Sequence, residues 1–191
     1  PIEFLFRPDV IEPDKLLETS LADYYGVVLA NVDKLPRASD PAARTIDNDA
    51  VAKLERFVAN GGALVVAPGN RIDRDFYNRE LFAEGEGLLP AALGPPVDVE
   101  QPRPEDFAAA TADDAAEPGM DPQDPSLPQP ITLAPPPQGH PALIESLALK
   151  RWANVLPRRR YPLEISPAAG ETATLLQLST GQPFALTRPR E

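Results

Sequence analysis

Between Asp47 and Asn78 a helical pattern runs into Gly61 and Gly62, continues as the apolar run Ala63–Ala67, and breaks at Pro68, Gly69 and Asn70. No other stretch limits the fold so tightly. With the earlier apolar run Val27–Asn31 it outlines a β–α–β crossover, the unit that builds a parallel sheet covered by helices and places its working loops at strand C-termini. The loop at that place, Pro68-Gly69-Asn70-Arg71, contains no nucleophile. The chain reads as α/β, yet that loop does not read as an active site.

Local signals fill in the rest. Tyr25–Asn31 is nearly unbroken apolar sequence, as expected of a strand buried on both faces. Val51, Leu54, Phe57 and Val58 recur at helical spacing, with Asp47 or Asp49 as N-cap and Gly61 as the left-handed residue that ends the helix. Asp73–Phe82 reads as a second, short helix, and Pro13–Leu21 as another. Extended segments are expected at Ile2–Phe6, near Val97–Val99, at Trp152–Leu156 and at Tyr161–Ile165. Ala173–Leu178 and Phe184–Thr187 form a hairpin around a Gly181-containing turn, with Phe184 and Leu186 sharing a face with Leu176 and Leu178 or their neighbours, depending on register.

The chain has 191 residues, enough for one domain with a core, and the reading is a single domain over 1–191. Its 18 basic and 29 acidic residues give a formal charge of −11, which argues against a nucleic-acid partner. Arg158-Arg159-Arg160, the densest basic cluster, reads as a solvated strand entry. Cysteine is absent, which removes disulfides, thiolate ligands and a Cys nucleophile. No apolar run reaches the roughly 20 residues that span a bilayer. The sequence begins at Pro1 without an initiator Met and is read as a piece of a longer protein.

Composition shifts sharply at Pro95. The window Pro95–Pro141 holds 13 of the 25 prolines and many acids, among them Glu105, Asp106, Asp113, Asp114 and Asp121. Prolines remove hydrogen-bond donors and the acids repel one another, so residues 95–139 are expected to form a mobile, proline-rich acidic insertion. Pro135-Pro136-Pro137 would suit polyproline docking, but a solvated spacer is the favoured reading of the segment.

Several landmarks in order carry a family resemblance: Tyr25–Asn31, Ala52–Val66, Gly69–Asn78, Leu88–Gly94, His140–Leu143 and the strand pair within Ala173–Pro189. Together they resemble the class I glutamine-amidotransferase-like domain of large bacterial membrane proteins of the aerotolerance (BatA) group. The resemblance covers most of the chain outside Pro95–Gln138. It implies a flavodoxin-like parallel sheet with flanking helices, held on the periplasmic or extracytoplasmic side of the inner membrane by transmembrane helices elsewhere in the protein. It also implies protein partners in a membrane complex, including von Willebrand factor A-domain proteins, and a gene near that of a MoxR-type ATPase.

The residues do not support the chemistry that the family name suggests. Glutamine amidotransfer needs a Cys on a strained strand-to-helix turn, activated by a His that a carboxylate orients. Here Pro68-Gly69-Asn70 occupies the turn, and His140 is the single histidine. No G-x-S-x-G elbow is present, and Asp73 and Asp75 read as helix-capping residues rather than metal ligands. No cofactor and no metal is expected. The leading expectation is a non-catalytic recognition or assembly module whose surface comprises Asn31, Asp33, Gly69, Asn70, Arg71, Asp73 and Tyr77. The competing expectation is an atypical hydrolase or amidotransferase-like enzyme using Asp33, Asp73 and His140 as acid–base groups. For Asn70, Arg71 and Asp73 taken singly, satisfying backbone groups of the loops and helix start is the favoured role over specific ligand recognition.

Overall fold

The structure, a computed structural model, describes residues 7–101, 131–134 and 156–189. The expectations for Ile2–Phe6, for Pro135-Pro136-Pro137, for His140–Leu143, for residues 152–155 and for most of the insertion lie outside the described residues. The chain divides into two compact units. Among the described residues, one comprises 7–92, 166–170 and 189, the other 93–101, 131–134, 156–165 and 171–188. Helices and small sheets are mixed, as expected of an α/β chain, and the only parallel pairing among the described residues is one two-stranded sheet.

The first unit is built on the anticipated crossover. Strand β1 (Gly26–Ala30) pairs in parallel with β2 (Ala63–Ala67), in register from Gly26 opposite Ala63 to Ala30 opposite Ala67. Between them lies helix α1 (Ala50–Ala59), with Val51, Leu54 and Phe57 buried. Of the two candidate caps, Asp49 is the one used. Its Oδ1 accepts from the backbone N–H groups of Val51 (2.9 Å) and Ala52 (3.0 Å), satisfying donors that the helix itself cannot.

The double glycine works as a Schellman motif. Gly61 takes a φ of +92° and its N–H donates to the Val58 carbonyl at 2.9 Å, while the Gly62 N–H donates to the Phe57 carbonyl at 3.0 Å. A Cβ at Gly62 would stand 2.4 Å from the Phe57 ring, so the second glycine lets that ring fold under the helix end. The chain can then enter β2 without a spacer.

Alternation along the strands separates the two sheet faces. Leu29 is buried on the face that turns inward, and α1 packs against β2. On the other face Val28 and Val65, directly paired, are 63% and 52% exposed. The expectation of a strand buried on both faces therefore holds for one face only among the described residues.

After β2 the chain forms an α turn at Arg74–Phe76 capped by Asp73, which passes directly into a π-helical segment, Tyr77–Phe82. Ala83 (φ 46°) and Glu84 (φ 58°) then adopt left-handed backbone, ending the segment. Such conformations cost non-glycine residues about 1–2 kcal/mol each. Here they are held by bonds from the Gly87 N–H to the Phe82 carbonyl (2.9 Å) and from the Leu89 N–H to the Leu81 carbonyl (2.8 Å). The helix expected over Pro13–Leu21 is a single 3₁₀ turn, Pro13–Leu16. Beyond that turn the N–H and hydroxyl of Thr19 both donate to the Lys15 carbonyl, and Lys53 of α1 donates to the Leu17 carbonyl at 2.7 Å.

The second unit is antiparallel. Strand β3 (Val97–Asp98) pairs with β5 (Arg159–Arg160), and the expected hairpin is present as β6 (Ala173–Leu178) and β7 (Pro183–Thr187). Gly181, at a φ of +84°, makes its turn. A register irregularity sets Thr174 opposite Leu186 and Leu176 opposite Ala185, so Leu176 does not lie directly opposite Phe184 or Leu186. Within the proline-rich segment, Leu133–Ala134 forms a short strand, β4, that extends this sheet, with Leu133 opposite Leu178 and both buried. Gln101 helps to hold the place: its amide donates to the carbonyls of Ile131 and Pro157 (2.9 Å each) and accepts from the Ile131 N–H (3.0 Å).

Candidate functional site

The loops that follow β1 and β2 are joined into one structure, beginning with Asn31. This residue extends the strand pairing, its N–H donating to the Ala67 carbonyl at 3.0 Å, and then turns the chain with a φ of 53°. Asparagine tolerates that left-handed conformation better than most residues. The side chain reaches across to the second loop, where Oδ1 accepts from the Arg71 N–H (2.9 Å) and Nδ2 donates to Asn70 Oδ1 (3.3 Å). Gly69 makes room for this bridge: a Cβ there would lie 2.3 Å from Asn31 Oδ1.

A second set of bonds ties the loops farther along. The Asp73 N–H donates to the Asp33 carbonyl at 2.9 Å, and Asp73 Oδ1 caps the next turn by accepting from the Phe76 N–H at 3.0 Å. Tyr77 donates its hydroxyl to the Val32 carbonyl at 2.7 Å, and its ring meets Phe76 edge to face at 5.9 Å. Burial, helped by the nearby Asp33 carboxylate, pushes the Tyr77 hydroxyl up to about 12.

Six of the seven expected surface residues lie on this loop pair and Tyr77 opens the π-helical segment that follows, and they do not share a role. Tyr77 has no exposed surface, which corrects its placement as a contact residue: it supports the loops from beneath. Asn31 and Gly69 set the joint between the loops. Asp33, Asn70, Arg71 and Asp73 are exposed, with Lys34 beside them. An open recess of about 350 Å³ is lined by Asp33 and Lys34 of this group together with Pro13, Asp14, Leu35 and Pro36.

For acid–base chemistry the geometry offers less. Asp33 and Asp73 are exposed, and each commits one carboxylate oxygen to a backbone N–H, that of Lys34 in one case and Phe76 in the other. The third proposed group, His140, lies outside the described residues. Among the described residues no cluster of three or more His, Cys, Asp or Glu side chains is arranged to hold a metal ion, and no helix is long and apolar enough to cross a membrane.

Beneath the loops is an ionic cluster that sequence reading missed. Asp49 is fully buried, and while its Oδ1 caps α1, its Oδ2 accepts from Arg37 Nε at 2.7 Å and lies 3.4 Å from Arg44 Nε. Arg37 also binds Glu80 on the π-helical segment, and Glu80 accepts in addition from Arg79 Nε at 2.8 Å. Burial would push the Glu80 carboxyl up, but the hydrogen bond from Arg79 and the charges of Arg37, Arg44 and Arg79 outweigh it and hold the group below the usual carboxylate range. With the bond from the Ala50 N–H to the Pro36 carbonyl (3.0 Å), this cluster fixes the long β1–α1 connection that carries Asp33, Lys34 and Leu35.

No family model, no curated protein and no solved structure matches this chain.

Proposed function

We propose that this chain is a non-catalytic recognition module whose partner-binding surface is formed by the loops after β1 and β2. The observation that carries the proposal is the joint itself. Asn31, Gly69, the Asp33–Asp73 backbone bond and Tyr77 hold two loops in one arrangement, while the side chains of Asp33, Lys34, Asn70 and Arg71 stay exposed, Asp33 and Lys34 of them lining a recess. Pre-ordering a surface lowers the entropy cost of binding, and loops carried at strand C-termini are the usual working end of an α/β unit.

In this reading the module is a flavodoxin-like, class I glutamine-amidotransferase-like domain. Segments outside this chain hold it at the extracytoplasmic side of a bacterial inner membrane, where its partners are proteins of a membrane complex, von Willebrand factor A-domain proteins among them. The support is the ordered set of sequence landmarks from Tyr25 to Pro189 together with the parallel β1–α1–β2 crossover. The test is site-specific photo-crosslinking in membranes, with the reactive group placed at Arg71 and, as a control, at the exposed Arg56 of α1. A discrete protein adduct from position 71 that is missing from position 56 is the expected result. The same adducts from both positions, or none from 71, would overturn the assignment of the surface.

A further inference from the structure

We draw no further inference here: the strongest candidate, the exposed apolar face of the two-stranded parallel sheet around Val28 and Val65, is an unpartnered face for which nothing in the structure shows what covers it.

Discussion

Asp49→Ala is the substitution whose cost can be divided most cleanly. The carboxylate performs two tasks at once, capping α1 through Oδ1 and holding Arg37 through Oδ2, and it does so with no exposed surface. Loss of an N-cap costs about 1 kcal/mol. Removing one partner of a buried ion pair costs roughly 3–5 kcal/mol, but Arg37 is 15% exposed and retains Glu80, so about 2–3 kcal/mol is the better figure here. The sum, about 3–4 kcal/mol, corresponds to a fall in Tm of roughly 6–16 °C for a chain of this size. Asparagine caps helices as well as aspartate does, yet its amide would present a donor to the Arg37 guanidinium. Asp49→Asn should therefore recover about 1 kcal/mol of the loss and no more. Urea and thermal unfolding of the two variants, with Arg37→Met and the Arg37→Met/Asp49→Asn double variant to close a cycle, would measure each part. A cost below about 1 kcal/mol for Asp49→Ala, or an Asp49→Asn variant as stable as the parent, would refute the division.

Three other expectations concern the loops and the ionic cluster. Gly69→Ala must displace the Asn31 amide and break its bonds to Arg71 and Asn70, which should cost roughly 1–3 kcal/mol and expose the Arg71 amide to hydrogen exchange; unchanged protection would show that the bridge does not depend on the glycine. Because the Tyr77 hydroxyl is raised, its neutral form stabilises the fold below the ordinary tyrosine value, near pH 10, and that contribution is lost as pH rises through about 12. In an alkaline ultraviolet titration, Tyr77→Phe should remove the last-ionising component, and its persistence would contradict the burial. Glu80 has the opposite sign: its lowered value supplies stability above the unfolded carboxylate range, near pH 4.3, that is lost as pH falls through the folded value. Urea midpoints should accordingly drop less between pH 5 and pH 3 for Glu80→Gln than for the parent, whereas parallel profiles would assign the acid sensitivity elsewhere.

What could be read from the chain was local. The helix cap, narrowed to Asp47 or Asp49, the Gly61 stop and the apolar run of β2 lie within one continuous stretch, and each is signalled by its neighbours. The hairpin was legible for the same reason, although the irregularity that sets its facing pairs was not. Long-range partners left no such mark. Arg37 is 12 residues from Asp49 and 43 from Glu80, and nothing in a single sequence distinguishes these arginines from solvated ones. Tyr77 is different, because a usable signal was present: Tyr77 and Leu81 stand four apart, on one helical face, and both are fully buried. Strand β4 was hidden by its surroundings. The prolines and acids dominate the composition of residues 95–139, and a two-residue pairing with β6 does not alter that average.

Quantitative pull-down from detergent-solubilised membranes tests the recognition surface most directly. The natural protein would be compared with a Lys34→Glu/Arg71→Glu variant, since both side chains are exposed and their reversal leaves the bonds that join the loops in place. Equal thermal stability of the two proteins would be established beforehand. Loss of a specific protein partner from the variant is the predicted result. An unchanged partner set would contradict the placement of the recognition surface on the loops after β1 and β2.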